Sequence, residues 1–251
     1  MTGVVIVTGG SRGIGRAICL RIAAASRAVV VNYVGDEMSA ASVVAEIERA
    51  GGSAVAVQGD VSREGDIDRI FAAADALGQL TALVNNAGVV DTAARVEDMG
   101  PERLTRMFGV NAVGSILCAG RAVRRMSTRY GGSGGTIVNI SSAAAKLGAP
   151  GRYADYAASK GAIDTFTVGL AKEVASEGIR VVGVRPGIID TDIHASGGEP
   201  DRVANEAGAL PMGCAGTADE VAAAVLWLMS DDAAYSTGAI VDVSGGRSIA
   251  P

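Results

Sequence analysis

Residues 4–15, with the sequence VVIVTGGSRGIG, join a short run of β-branched residues to a glycine-rich turn. A helical pattern follows and is predicted over residues 15–25. A turn between a strand and a helix brings backbone N–H groups and a helix N-terminus to a pyrophosphate. Because the spacing G-x-x-x-G-x-G differs from G-x-G-x-x-G, a plain tight turn is the alternative interpretation. The flanking strand and helix favour a dinucleotide cradle.

The alternation of a strand with a helix repeats along the whole chain. Apolar runs rich in Val and Ile predict strands at 4–7, 29–32, 54–57, 82–84, 136–140, 181–184 and 239–243. Helices are predicted at 15–25, 38–50, 63–77, 101–130, 155–177 and 218–229. This alternation indicates βαβ units, and therefore an α/β fold with a seven-stranded parallel sheet and helices on both faces.

Composition favours one domain spanning residues 1–251, because 49% hydrophobic content is enough for a large core. A net charge of −5 argues against a nucleic-acid surface. No apolar run reaches the ~20 residues of a membrane span, so we expect a cytoplasmic protein that binds no membrane. His194 is the only histidine and the three cysteines are far apart, so no metal site is predicted.

The longest irregular stretch, residues 188–214, contains Gly197, Gly198, Pro200 and Pro211. Long loops in compact domains are typically lids or binding loops. We therefore predict that residues 188–214 form a substrate lid within the single domain.

Tyr156 and Lys160 stand four residues apart on a predicted helix, with Ser142 upstream. Side chains at i and i+4 share one helix face. A free tyrosine titrates near pH ~10, and an ammonium about 4 Å away lowers its pKa by about three units at an effective dielectric of about 20. We expect Lys160 to supply most of this lowering, so that Tyr156 exchanges a proton with a substrate oxygen that Ser142 also binds. Taken alone, the pair is better explained as a chance pair on a surface helix.

Five motifs reverse that judgement, because together they resemble the short-chain dehydrogenase/reductase family from about residue 4 to residue 246. They are residues 8–15, residues 85–88, Asn111, Ser142 with Tyr156 and Lys160, and residues 185–187. The resemblance implies a single-domain, doubly wound Rossmann fold with Asn111, Ser142, Tyr156 and Lys160 as the catalytic tetrad. It also implies that a backbone group of Asn111 holds a water that links Lys160 to solvent. The alternative for Asn111 is an asparagine that hydrogen-bonds its own helical turn.

The resemblance also implies cofactor contacts at individual positions. These are Gly9, Ser11, Arg12 and Ile14 at the phosphates, Asp60 and Val61 at the adenine, Asn86, Ala87 and Gly88 at the ribose and sheet edge, and Pro186, Ile189, Thr191, Tyr156 and Lys160 near the nicotinamide. Thr191 is equally well explained as the cap of a helix that begins the lid.

The end of the second predicted strand bears on the choice between NADP(H) and NAD(H). An acidic residue there binds a ribose diol and repels a 2′-phosphate, but this chain has Asn32 and Tyr33, which we expect to contact the cofactor at this place. Arg12, in the glycine-rich turn, is within reach of a phosphate. We therefore predict that NADP(H) is preferred and that NAD(H) is possible, with Asp36 the main argument for NAD(H) unless it caps the next helix.

One departure from the family pattern concerns the catalytic spacing. Ser142 and Tyr156 are one position farther apart than in most family members, which implies an inserted residue within 150–155. Ser141 and Tyr153 are rivals for the two roles, but Ala157 stands where Tyr153 would need its lysine.

The leading hypothesis is an NADP(H)-dependent oxidoreductase that transfers a hydride between nicotinamide and a small carbonyl or alcohol substrate. A 3-oxoacyl-thioester (acyl-carrier-protein) reductase, a non-catalytic NADP-binding regulator and, less favoured, a nucleotide-sugar dehydratase or epimerase are the alternatives. For the carrier-protein reductase, the basic run Arg121, Arg124, Arg125 and Arg129 would dock an acidic partner, although a solvated helix face explains it more simply. Family resemblance implies a homotetramer built on helices 101–130 and 155–177.

Overall fold

A computed structural model describes residues 3–249 and contains one sheet of seven parallel strands. The strands are β1 (Val4–Val7), β2 (Ala28–Tyr33), β3 (Ala54–Gln58), β4 (Leu80–Asn85), β5 (Gly135–Ile140), β6 (Ile179–Pro186) and β7 (Ile240–Val243). Their order in the sheet is β3-β2-β1-β4-β5-β6-β7. The order therefore reverses between β1 and β4, and in doubly wound sheets ligands bind at the carboxyl ends of the strands beside this reversal.

Ten helices connect or flank the strands among the described residues. They are α1 (Gly13–Ala24), α2 (Glu37–Arg49), α3 (Glu64–Leu77), α4 (Pro101–Phe108), α5 (Ser115–Met126), α6 (Ala144–Leu147), α7 (Ala154–Val174), α8 (Ile193–Ser196), α9 (Arg202–Glu206) and α10 (Ala218–Met229). Short 3₁₀ turns add Val96–Asp98, Thr128–Tyr130, Ala175–Glu177, Ala207–Ala209 and Asp231–Ala233. The predicted α/β fold, with a parallel sheet and helices on both faces, is confirmed.

Two hydrophobic cores lie on opposite faces of the sheet. Along β1, Val5 and Val7 face the core formed with α1, α2 and α10, whereas Val4 and Ile6 face the core formed with α3, α5 and α7. Successive side chains of a strand point to opposite faces, so a strand covered on both sides is continuously apolar. This explains why every residue of β1 is buried and why its sequence shows no polar alternation.

The segment predicted as one helix over 101–130 is interrupted in the structure. A π-helical segment, Gly109–Gly114, separates α4 from α5, and a 3₁₀ turn follows α5. π-Helical insertions occur frequently at functional sites, and this one contains Asn111. The prediction of a continuous helix was therefore wrong at the position where it bears on the site.

Helix boundaries agree with the local capping chemistry. Asp36 accepts a hydrogen bond from the Ser39 backbone N–H and caps α2, and Thr217 forms a reciprocal capping box with Glu220 at the start of α10. Pro101 occupies the first turn of α4. Within residues 3–249, no helix is both long and apolar enough to cross a membrane.

Candidate active site

The glycine-rich turn follows β1 at the reversal point of the sheet. Gly9 and Gly13 adopt left-handed conformations, with φ of +63° and +52°, which side chains disfavour. A Cβ on Gly15 would lie 2.1 Å from the carbonyl oxygen of Gly9, so backbone packing excludes any side chain there. Arg12 precedes α1 without a side-chain cap, and the first turn of α1 contains no acidic residue. The N-terminus of α1, with no acidic side chain in its first turn, fits the pyrophosphate of a dinucleotide.

Thr8 and Asn86 hold the turn against the end of β4. The Thr8 hydroxyl accepts hydrogen bonds from the backbone N–H groups of Asn86 and Ala87, at 3.0 Å each. Asn86 Nδ2 donates to the carbonyl oxygens of Thr8 and Gly9, at 2.9 Å each. Asn86 and Ala87 thus position the glycine-rich turn, a contribution that the sequence analysis did not assign to them.

Asn32 has a structural role that conflicts with its predicted contact to the cofactor. Its Nδ2 donates to the carbonyl oxygens of Val57 and Gly59, at 3.2 and 2.8 Å, and its Oδ1 accepts from Gly9 N–H at 3.2 Å. The side chain is 1% exposed. Tyr33 is also buried, within the core formed with α1 and α2. The reason for the discrepancy is that Val57 and Gly59, in and just after β3, hold the Asn32 side chain, while Tyr33 packs into a core.

Arg12 and Asp36 lie near each other at the start of α2. Arg12 is exposed, and its positive charge contributes to lowering the pKa of Asp36, after the larger effect of the hydrogen bonds from Ser39. Asp36 therefore acts as a helix cap, as the second interpretation of this residue held. Ser11, beside Arg12, is buried in the turn.

Asp60 and Val61 lie after β3, in the region predicted to receive the adenine. Asp60 Oδ1 accepts hydrogen bonds from the backbone and hydroxyl of Ser62, at 2.9 and 2.7 Å. Val61 is buried, and a Cβ on Gly114 would lie 2.7 Å from its carbonyl oxygen. Val61 thus packs directly against the π-helical segment.

A cavity of about 300 Å³ brings together most of the predicted site residues. Ser142, Tyr156 and Lys160 line it, as do Ile14, Asn86, Gly88, Pro186, Ile189 and Thr191. The cavity therefore extends from the glycine-rich turn to the predicted catalytic residues. Thr191 also approaches Gly13 of the turn, since a Cβ on that glycine would lie 3.4 Å from Thr191 Cγ2. The N-cap position of α8 is Asp192, which makes no side-chain capping bond, so Thr191 does not occupy the position that the helix-cap interpretation gave it.

Ser142 and Tyr156 differ clearly from their rivals. The Ser141 hydroxyl donates to the backbone carbonyl of Lys160 at 3.2 Å, so it serves the contact between β5 and α7. Tyr153 donates its hydroxyl to Glu199 at 2.8 Å and to the carbonyl of Gly197 at 3.3 Å. Both rival hydroxyls thus bind protein groups away from Tyr156, whereas Ser142 is among the groups that lower the pKa of Tyr156.

The segment between α6 and α7, where an inserted residue is predicted, forms a tight turn. Gly148, Ala149 and Gly151 have φ of +74°, +44° and +71°. The Ala149 carbonyl accepts from the backbone N–H groups of Arg152 and Tyr153, at 3.3 and 3.1 Å. Because left-handed residues reverse the chain within this turn, the insertion leaves Ser142 and Tyr156 together.

The electrostatics of Tyr156 differ from the expectation. Burial raises its pKa, while the hydrogen bond with Ser142 and the positive charge of Arg202 lower it to a smaller extent. Lys160 Nζ lies 5.8 Å from the Tyr156 ring centroid and donates to the Ile140 carbonyl at 2.8 Å. Burial also lowers the pKa of Lys160 to about 8, although Asp164 opposes this. We expected Lys160 to be the main influence on the pKa of Tyr156. This expectation was wrong, because burial has the largest effect on the pKa of both groups.

The Asn111 side chain connects the π-helical segment to Val89 and Ser159. Its Nδ2 donates to the Val89 carbonyl at 2.9 Å and to Ser159 Oγ at 3.1 Å, and its Oδ1 accepts from Val89 N–H at 2.7 Å. The side chain therefore does more than hydrogen-bond its own turn. A Cβ on Gly88 would lie 3.4 Å from both Asn111 Oδ1 and Lys160 Nζ. Gly88 thus packs against the two residues that the water relay was predicted to join.

The sequence analysis missed three arginines of this cavity, Arg152, Arg202 and Arg247. It also missed the ion pair of Arg103 with Asp155, at 2.7 Å, which fixes the start of α7 to α4. Neither set has a local sequence signature, because the partners come from distant segments. Among the described residues, no cluster of three or more His, Cys, Asp or Glu side chains has the arrangement of a metal site.

Comparison with known proteins identifies the family. A family model described as enoyl-(acyl carrier protein) reductase matches residues 9–248. The chain is 51% identical over 245 residues to the uncharacterized oxidoreductase YgfF of Escherichia coli strain K12, covering 97% of this chain and 99% of that protein. It is 39% identical to 3beta-hydroxysteroid dehydrogenase 1 of Eggerthella lenta, covering 98% and 94% respectively. The chain belongs to the short-chain dehydrogenase/reductase family.

Among solved structures, 3-ketoacyl-(acyl-carrier-protein) reductase from Brucella melitensis, complexed with NADH, matches with a TM-score of 0.90 and 32% identity, covering 98% of each chain. The protein is therefore an oxidoreductase, and its family binds nicotinamide cofactors. Its relatives have names that differ in substrate, because the fold and the reacting groups are shared while specificity depends on the surrounding loops.

Proposed function

We propose that this protein is an NADP(H)-dependent reductase of a small carbonyl compound, acting through Asn111, Ser142, Tyr156 and Lys160. The convergence of Ser142, Tyr156 and Lys160 on a cavity that reaches the glycine-rich turn carries the proposal. When bound, the nicotinamide supplies the hydride. Residues 188–214, which include Ile189 and Thr191 in the cavity wall, act as the substrate lid.

Tyr156 donates the proton in this reaction. Burial raises its pKa, so the phenol is protonated at neutral pH and is ready to donate to a carbonyl oxygen. Ser142 hydrogen-bonds the same oxygen and stabilises its developing negative charge.

Lys160 and Asn111 restore the proton and orient the cofactor. The lysine ammonium has three donors, one of which is used by the Ile140 carbonyl, so the others are available to the nicotinamide ribose. With a pKa of about 8, Lys160 can both hold and release a proton near neutral pH. Asn111, fixed by Val89 and Ser159, places the π-helical backbone where a water can connect Lys160 to solvent.

Carrier-protein docking is less well supported. Arg121 pairs with Glu64 and Asp68, and Arg125 pairs with Asp75, so these members of the basic run neutralise acidic residues of α3. Arg124 lies over the Tyr130 ring at 4.7 Å. The basic run therefore serves the packing of α5, as the simpler interpretation held, and a small carbonyl compound is favoured over a carrier-bound thioester.

Titration of the purified protein with NADPH and NADH tests the cofactor assignment. We expect tighter binding of NADPH, because Arg12 is exposed at the turn and Asn32 and Tyr33 provide no carboxylate. The Arg12→Ala variant is expected to weaken NADPH about tenfold while NADH binding is unchanged, with exposed Arg49→Ala as the control. An equal effect of Arg12→Ala on both nucleotides would contradict the preference.

The same samples then test the reaction with aldehydes, ketones, sugars and acetoacetyl thioesters, monitored at the nicotinamide absorbance. Turnover of a small carbonyl compound that exceeds turnover of the thioesters is the expected result. Failure of both nucleotides to bind would exclude the proposed function.

Apolar side chains on the π-helical segment, α5 and α7 support a homotetramer. Val113, Ile116 and Val168 are 48%, 42% and 37% exposed, which is costly for aliphatic groups unless another surface covers them. We expect sedimentation velocity to give a mass of four chains. A monomer at micromolar concentration would rule this assembly out.

A further inference from the structure

Three guanidinium groups line one end of the active-site cavity. Arg152 lies just before α7, Arg202 begins α9 in the lid, and Arg247 follows β7. Their side chains are 49%, 15% and 27% exposed. Three separate segments therefore supply positive charge to one place, and the proposed reaction at Tyr156 has no evident use for it.

Two glutamates partly neutralise these arginines. Glu206 lies 2.8 Å from Arg152, 3.3 Å from Arg202 and 3.4 Å from Arg247. Glu199 lies 3.6 Å from Arg152 and 3.5 Å from Arg202. Three positive and two negative side chains leave one net positive charge in this cluster.

Nearby groups do not remove that excess charge. His194 lies in the same cavity wall, and burial lowers its pKa, so it is neutral at pH 7. The buried Nε of Arg202 is the atom that lies 3.3 Å from Glu206 Oε1, but within the described part of the chain it makes no contact with the geometry of a hydrogen bond. Burial, followed by the charge of Arg202, lowers the pKa of Arg247, and Glu206 only partly offsets these effects. The guanidinium groups are therefore incompletely compensated.

The cluster lies close to the reacting groups. The positive charge of Arg202 contributes to lowering the pKa of Tyr156, and its guanidinium carbon lies 5.5 Å from the Tyr153 ring centroid. Elsewhere, the cavity wall contains the apolar residues Val90, Leu147 and Ile193. A short ligand can thus place its carbonyl at Tyr156 and its other end at the arginines.

We propose that the substrate carries an anionic group, a carboxylate or a phosphate, which Arg202 and Arg247 bind while its carbonyl lies at Tyr156. This proposal rests on the proposed reductase function and names its substrate class, a small oxo acid or oxo phosphate. Guanidinium groups bind both anions through paired, charge-assisted hydrogen bonds. The anion supplies the negative charge that Glu199 and Glu206 leave unmatched.

Matched substrates test this inference directly. A short oxo acid is compared with its primary amide, which has nearly the same shape without the charge, and a third arm uses the corresponding oxo phosphate. We expect kcat/KM for at least one anion to exceed that of its uncharged counterpart by about tenfold or more. The third arm decides whether carboxylate or phosphate is preferred.

Variants of Arg202 test whether its charge causes the preference for the anion over the amide. Arg202→Gln is expected to remove the preference by lowering kcat/KM for the anion about tenfold more than kcat/KM for the amide. Arg202→Lys is expected to restore part of it, and Arg69→Gln, an exposed arginine on α3, is the control. Equal kcat/KM for the anions and the amide in the wild-type protein would overturn the inference, and the arginines would then serve only to hold the lid.

Calorimetric titration separates this inference from the proposed function. It uses saturated analogues that lack the carbonyl, one with a carboxylate and one with an amide, and needs no turnover. Tighter binding of the carboxylate to wild type than to Arg202→Gln supports the anion site even if no carbonyl is reduced. Equal binding of acid and amide overturns the anion site even if NADPH-dependent reduction is found.

Discussion

The Tyr156→Phe variant is expected to lose carbonyl reduction by about 10²–10⁴-fold in kcat while binding the nicotinamide cofactor as the wild type does. Only the phenolic hydroxyl is removed, so the packing of the ring beside Lys160 is kept. The hydroxyl is the proposed proton donor, and burial raises its pKa so that it is protonated at neutral pH. Steady-state kinetics of the best substrate, together with cofactor titration, measure both quantities.

Tyr130→Phe is the matched control for loss of a phenol. Tyr130 is 46% exposed on a 3₁₀ turn after α5 and does not line the cavity. Its variant is expected to retain wild-type kcat. If Tyr156→Phe retained more than about a tenth of wild-type kcat, the proton would have to come from another group, and the assignment of Tyr156 as proton donor would fail.

The fold was predictable because its signal is local. The central strands of the sheet are covered on both faces, so a strand such as β1 appears in the sequence as a continuous apolar run. The glycine-rich turn was predictable for a related reason, since left-handed backbone at Gly9 and Gly13 requires the residue type that marks it. In both cases the structure requires a residue type at the same positions where the sequence shows it.

Other features depend on partners that are far away in the sequence. Asn32 is held by carbonyl groups of Val57 and Gly59, and only the pairing of β3 with β2 places them there. The π-helical segment changes the hydrogen-bond period within an otherwise helical sequence, which hydrophobic periodicity does not detect. Arg152, Arg202 and Arg247 come from three distant segments and meet only in the folded protein.

The pKa of Tyr156 illustrates the same limit for the chemistry of the site. The spacing of Tyr156 and Lys160 on one helix face was correct, but it concerns only the interaction of two charges. Burial acts on each group separately, and it raises the pKa of the tyrosine and lowers that of the lysine. How deeply a residue is buried depends on the whole fold.

The effect of Lys160→Met on the free energy of unfolding is expected to change sign between neutral and alkaline pH. Burial lowers the pKa of Lys160 from 10.5 in a solvated lysine to about 8. Below pH 8 both the folded and the unfolded chain hold the proton, and the folded protein bears the full cost of a buried ammonium, about 3 kcal/mol. Between pH 8 and 10.5 the unfolded chain binds more protons, so wild-type stability gains from rising pH. Above pH 10.5 the cost is absent.

Methionine has no proton to bind, so the variant lacks this pH dependence. It also lacks the donor to the Ile140 carbonyl, which costs about 1–3 kcal/mol at any pH. We therefore expect the variant to be at least as stable as wild type at pH 7 and less stable at pH 10.5, with the difference changing by about 3 kcal/mol. Urea unfolding at both pH values measures the difference, and Lys172→Met, an exposed position on the same helix, is the control.

At neutral pH, Lys160→Met is expected to lower turnover although it does not lower stability. Lys160→Met removes the ammonium proposed to bind the nicotinamide ribose and to return the proton to Tyr156, so kcat should fall by about 10²-fold or more. A residue that serves only packing would lower stability and activity together. A stability difference between variant and wild type that stays constant from pH 7 to pH 10.5 would show that burial of the Lys160 ammonium carries no cost. Loss of both kcat and stability at pH 7 would show that Lys160 serves only the structure of the site.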